Sequence, residues 1–233
     1  MRSSELPFAD FPALGNTHVI LEQGLTQPGP YGNMVKECQM GHVEITVDES
    51  IQDRRLTFRL PAAEIQDLKP VDVSELEDIV KHRFAIAEAP AIVNVGPLWV
   101  VARVRNAESL LGLRPDFGRL ADFERRLGVT VLTAFGGHTS GDEAIEVRSF
   151  APSCSVDADP VCGSGNGAVA VFQWKRHLLP PVGASYLASQ GRLVGRNGQV
   201  HVSVDTSGAV HVGGTCVTGI SGTLTLSAFS AVE

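Results

Sequence analysis

The chain has 233 residues, 43% of them hydrophobic, with 19 basic against 26 acidic residues and a formal net charge of −7. That length supports one large domain or two lobes around a sizeable core. The basic residues are scattered apart from Arg54-Arg55, Arg125-Arg126 and Lys175-Arg176, which argues against nucleic acid as a partner. No apolar run reaches the ~18 residues of a membrane span, and the stretch from Met1 to Pro7 lacks the apolar core of a signal peptide, so a cytoplasmic protein with no membrane partner is expected.

In chain order, Pro12 to Leu21 reads as a helix ending near Gly24, and Gln27 to Gly32 as a Pro/Gly loop. Met34 to Met40, His42 to Asp48 and Leu56 to Leu60 alternate like half-buried antiparallel strands, with a turn at Gly41. Val73 to Phe84 has helical spacing with Ser74 as its cap. Ala91 to Val95 and Leu98 to Val104 are β-rich, Asp116 to Leu127 is helical, and Val129 to Phe135 and Ala144 to Ser149 return to strand. Ala168 to Leu179 reads as a helix stopped by Pro180 and Pro181, followed by short strands at Gln199 to Asp205, Ala209 to Gly213 and Gly222 to Phe229. The pattern is α+β, not an alternating parallel sheet.

The stretch that carries chemistry is Asp159-Pro160-Val161-Cys162-Gly163-Ser164-Gly165-Asn166-Gly167. A glycine-rich turn entering a helix leaves backbone N–H groups free at the positive end of the dipole, which suits a carboxylate or phosphate. The same residues also read as a tight turn in which glycine supplies unusual dihedrals and Ser164 or Asn166 merely caps. The stretch reads as an anion site with a proton-transfer group beside it, and a helix N-terminus would lower the pKa of Cys162 toward a reactive thiolate. Cys38, Cys154, Cys162 and Cys216 are far apart, and neither they nor the seven histidines have metal-ligand spacing, so no metal is expected. Pro7 to Glu22 repeats the layout of Asp159 to Leu178, a polar turn and then a helix. Two such units would face each other across a cleft, the division falling between Leu60 and Asn106.

The Asp159 to Gly167 stretch resembles the second-lobe motif of the phenazine-biosynthesis isomerase family (PhzF-like), within the diaminopimelate epimerase superfamily. Glu5-Leu6-Pro7-Phe8-Ala9 with Pro12-Ala13-Leu14-Gly15 resembles its first-lobe motif, and Asn94 to Trp99, Glu146 to Pro152 and the tail from Gly198 to Leu224 are also similar to it. The resemblance implies two α+β lobes, each a curved, mostly antiparallel sheet around a central helix: residues 1–90, shortened at their start, residues 91–220, and a C-terminal strand at 221–233 returning to the first lobe. It further implies a homodimer and an isomerase that shifts a proton within a small hydroxylated carboxylate, without metal or organic cofactor. By the same resemblance Asp159 holds the ligand's polar groups and moves the proton, and Ser164 with the amides of Gly163 and Gly165 binds its carboxylate. Cys162, Asn166 and, from the first lobe, Asp10 and Phe11 line the ligand.

Two departures stand out. Asp10-Phe11-Pro12 replaces the family's Gly-His-Pro, and the segment carrying the family's glutamate acid/base has no counterpart before the motif. Asp10 could supply a replacement acid, although a surface-turn aspartate is the simpler expectation. Positions 10 to 15 hold no second thiol to pair with Cys162, which argues against a two-cysteine racemase. An isomerase is therefore weighed against a small-anion-binding protein without chemistry and against a remodelled enzyme that dehydrates or cyclises its substrate.

Overall fold

The computed structural model describes residues 10–39, 41–50, 53–85 and 88–223. The Glu5-to-Ala9 motif and most of the strand expected from Gly222 to Phe229 lie outside the described residues. The elements are α1 (Asp10–Glu22), β1 (Asn33–Cys38), β2 (Gly41–Asp48), β3 (Arg55–Arg59), β4 (Glu64–Asp67), α2 (Pro70–Val80), β5 (Ala91–Asn94), β6 (Leu98–Arg103), α3 (Ala107–Leu111) and α4 (Phe117–Leu127). They continue with β7 (Val131–Gly137), β8 (Ile145–Ala151), β9 (Val156–Asp159), α5 (Gly163–Lys175), β10 (Ala184–Gln190), β11 (Gly198–Val204) and β12 (Val210–Thr215).

The strands join in one hydrogen-bonded path, β1-β2-β3-β12-β11-β10-β8-β7-β6-β5-β4, with β9 paired to β8 beside it. Pairing is antiparallel except at β6–β7 and β8–β10. The α+β class and mostly antiparallel sheet expected from sequence are what the chain forms. Alternation decides which face is covered: Val43, Ile45 and Val47 of β2, Leu56 and Phe58 of β3, and Val200, Val202, Val210 and Val212 of β11 and β12 all turn into one apolar cluster around α5 and one face of α1. The central strands β6, β7 and β8 are covered on both sides. Val101, Phe135 and Val147 face α5, while Val100, Ala102, Leu132, Ala134 and Phe150 meet α2, α3 and α4 in a second cluster, which is why β6 and β7 are largely apolar along their length.

Several boundaries move. Ser74 does not cap α2; the helix opens at Pro70 with Lys69 as its N-cap, because proline fits the first helical position, where its missing N–H is not needed. α5 starts five residues earlier than its apolar pattern suggests and stops at Lys175, well before Pro180. His177 turns left-handed (φ 56°), and the Leu178 amide closes back onto the Gln173 carbonyl at 2.8 Å. The strands β4, β9 and β10 and the short α3 were not visible in the sequence pattern.

Candidate active site

The glycine-rich stretch is not a turn ahead of a helix but the first turns of α5 itself. None of Gly163, Gly165 and Gly167 has a positive φ, so their service is close approach rather than unusual dihedrals. A methyl on Gly165 would stand 3.1 Å from Ser149 Oγ and from the Trp99 ring, and one on Gly167 would stand 2.8 Å from a Leu60 methyl. Glycine at alternate positions lets the helix sink between β6, β8 and the β3–β12 pair, burying every residue from Gly163 to Gln173.

Asp159 ends β9, half-buried, immediately before this helix. Its Oδ1 accepts from the Val161 amide at 3.0 Å. Burial pushes its pKa up, and the nearby Asp10 carboxylate adds to the rise against that amide bond. Such a carboxyl holds its proton to higher pH than a surface aspartate and is suited to donating it.

Asp10 is not a surface-turn residue. It opens α1, its Oδ1 accepts from the Phe11 amide at 2.8 Å, and its Oδ2 accepts from the Ser164 amide at the head of α5. The N-termini of α1 and α5 therefore meet, and the amide expected to hold a ligand's carboxylate already holds one from the protein's own α1. Gly163 is what admits it, since a methyl there would lie 2.7 Å from the same oxygen.

Cys162 is the N-cap of α5 and buried. Its sulfur accepts from the Gly165 amide at 3.4 Å and lies 3.6 Å from Ser164 Oγ. The thiolate expected from the helix dipole is not favoured: burial drives the thiol's pKa strongly up, and Asp10 and Asp159 push it further the same way. Asn166 is likewise turned inward, donating to the Cys162 carbonyl at 2.8 Å and to Gln190 Oε1 at 3.0 Å, so its amide nitrogen holds the turn in shape while its buried Oδ1 is left without a partner among the described residues. Phe11 is half-buried and packs on the apolar cluster.

The residue that sequence reasoning missed is Gln190, at the end of β10. Its Oε1 accepts from the Cys162 amide at 3.3 Å as well as from Asn166, and its Nε2 donates to the Asp159 carbonyl at 3.0 Å. One buried carboxamide thus ties together the residues before and after the bend that presents Asp159. Nothing in the weakly apolar Ala184–Gln190 run marks it; only the parallel pairing of Ser189 and Gln190 with Glu146 and Val147 brings it there.

Space is distributed unevenly. The crevice beside Asp159, lined by Glu146, Ser149, Gln190 and Arg192, holds only about 10 Å³. A hollow of about 620 Å³ instead flanks the C-terminal half of α5, between Trp174, Lys175, Arg59 and Gly208. The carboxyls and helix ends converge at the smaller of the two, beside Asp159.

Two helix N-termini thus meet near a pair of carboxyls in an α+β protein, and comparison with known proteins gives the family. A sequence profile described as "Phenazine biosynthesis-like protein" matches residues 2–222, and the chain belongs to that family. It is 35% identical over 226 residues to "Antisense-enhancing sequence 1" of Schizosaccharomyces pombe, covering 94% of this chain and 75% of that protein. It is 30% identical over 175 residues to a second protein of that yeast, described as an uncharacterized isomerase, covering 71% of this chain and 94% of the relative. Among solved structures it resembles a phenazine biosynthesis protein of the PhzF family from Bacillus anthracis, with TM-score 0.76 and 15% identity over 91% of this chain and 74% of that one. That similarity speaks for the fold alone.

Proposed function

We propose that the protein is a PhzF-like isomerase that moves a proton within a small hydroxylated carboxylate bound between the heads of α1 and α5. The observation that carries this reading is the environment of Asp159. A half-buried carboxyl with a raised pKa, fixed at the mouth of a helix N-terminus, is what general acid catalysis next to an anion requires. In this reading Asp159 takes the proton from one ligand carbon as a carboxylate and returns a proton to another as the carboxylic acid, exchanging with solvent in between, and the Ser164 and Gly165 amides steady the ligand's carboxylate. Gln190 positions the loop. On the same reading the lobes divide near residue 90, and the enzyme works as a cytoplasmic homodimer.

The test is proton NMR in D₂O of a panel of small hydroxylated ring carboxylates with the wild-type protein and with Asp159→Asn. Deuterium entering one ligand with wild type only is the expected result. Exchange that survives in Asp159→Asn would remove Asp159 from the chemistry. A second reading, an anion-binding protein without chemistry, draws on Phe11: it stands where the family carries histidine and packs on the apolar core. Ligand line broadening without exchange would favour it.

A further inference from the structure

The contact between Asp10 and the head of α5 bears on what the cleft selects. The Asp10 carboxylate takes the Ser164 amide proton; the Gly165 amide is engaged by the Cys162 sulfur at 3.4 Å and the Asn166 amide by the Cys162 carbonyl at 3.2 Å. A ligand carboxylate therefore meets an occupied amide. If it displaces Asp10, three carboxyl groups crowd one helix end, namely the ligand's, Asp10 and Asp159. The charges acting on Asp159 and on the Cys162 thiol there are those of the aspartates, and the arginines of the adjoining crevice are engaged elsewhere, Arg192 with Glu146 at 3.0 Å and Arg148 with the Leu110 and Leu113 carbonyls. A bare carboxylate gains one amide bond, costs Asp10 the same bond, and adds charge to a site already negative. A carboxylate that also carries a hydroxyl behaves differently, because the hydroxyl donates to the displaced Asp10 and the exchange gains one hydrogen bond in all.

We infer that Asp10 is a specificity-determining residue of this cleft: its carboxylate is an internal occupant of the ligand-carboxylate position on the Ser164 amide, so that simple anions are refused and acids carrying an adjacent hydrogen-bond donor are admitted. The inference rests on the reading of the α5 head as the carboxylate subsite. It does not depend on which substrate is turned over.

Acetate and glycolate, which differ by one hydroxyl, are the probes. Each is titrated into ¹⁵N-labelled wild-type protein, Asp10→Gly and Asp10→Asn, following the Ser164 and Gly165 amide resonances. Wild type should bind glycolate about tenfold more tightly than acetate, the scale of one charge-assisted hydrogen bond. In Asp10→Gly acetate affinity should rise about tenfold and the preference for glycolate should vanish. Asp10→Asn keeps the shape of the side chain without its charge and should shift both values the same way, which guards against a folding defect in the glycine variant. Equal acetate affinity in wild type and both variants would overturn the role of Asp10 while leaving the carboxylate subsite standing. If neither probe moves the Ser164 amide in any of the three proteins, the carboxylate subsite itself falls, and the inference with it.

Discussion

α1 and α5 are both thirteen residues long and meet head to head, but they are held very differently. α5 is buried continuously from Gly163 to Gln173, with β11 and β12 on one side and β5, β6 and β7 on the other. α1 buries only Ala13, Leu14, Thr17 and Leu21 and rests on β3 and the head of α5. A helix apolar all round belongs to a core, whereas one with a single covered stripe belongs to a surface. The helix that Asp159 precedes is thus fixed in a packed interior, although Asp159 itself is half-buried at the end of β9, and Asp10 is carried by an element with one face anchored. The lesson is that the two aspartates differ in freedom to move as well as in environment, and a ligand entering the cleft would shift Asp10 before it shifts Asp159.

The largest expected effect falls on the fixed half. Once a substrate is in hand, Asp159→Asn should lower solvent deuterium incorporation by about 10²–10⁴-fold, the usual span for loss of a general acid. Asp159 also gives the stability of the wild type a pH signature. Its native pKa lies above the unfolded value, so the folded state binds the extra proton and stability declines as pH rises from the unfolded value through the raised one. Thermal melts of wild type and Asp159→Asn should therefore converge at acid pH and separate toward neutrality, with the variant the more stable. A constant gap across pH would contradict the raised pKa.

The packing contrast comes next. Phe172→Ala on α5 removes a ring that is fully buried against Phe135 and should cost about 3–5 kcal/mol in denaturant unfolding, whereas Leu14→Ala on α1, beside an open face, should cost about 2 kcal/mol. Glycine substitutions sharpen the same point. Gly165→Ala forces a methyl against Ser149 and Trp99 and should destabilise by about 1–3 kcal/mol. Gly15→Ala in α1 meets nothing within 4 Å and should stabilise by about 0.5–1 kcal/mol. If the two substitutions moved the melting temperature in the same direction, the distinction between the helices would not hold. The smallest effect is expected at Val19, 48% exposed on the outer side of α1, where Val19→Glu should stay within about 0.5 kcal/mol.

Elements with a single dominant periodicity were legible from sequence. β2 shows strict alternation, and α4 carries Asp116 at its N-cap and Gly128 at its left-handed end, so both were placed to within a residue or two. β10 was not legible, because Ala, Ser and Gln are poor strand formers and the run takes its conformation from β8 and β11 on either side. The start of α5 was misplaced for a related reason: its glycines have low helix propensity, and only the crowding from Trp99, Ser149 and Leu60 shows why they belong inside a helix. Asp159 and the Ser164 amide could be read from the motif. The meeting of Asp10 with Ser164 and the bracing by Gln190 could not, since each is a contact between distant segments that leaves no spacing in the chain.

The pairing of β3 with β12, Arg59 opposite His211 and Arg55 opposite Thr215, bears on how the protein is made. During synthesis β1, β2 and β3 leave the ribosome long before the strand that completes them, so the meander waits with the β3 edge unpaired while most of the chain is still being translated. Pairings between distant segments form slowly, and an open edge is a template for association with other chains. The β3–β12 pairing is therefore expected to form late, and until it does that edge is open to association with other chains.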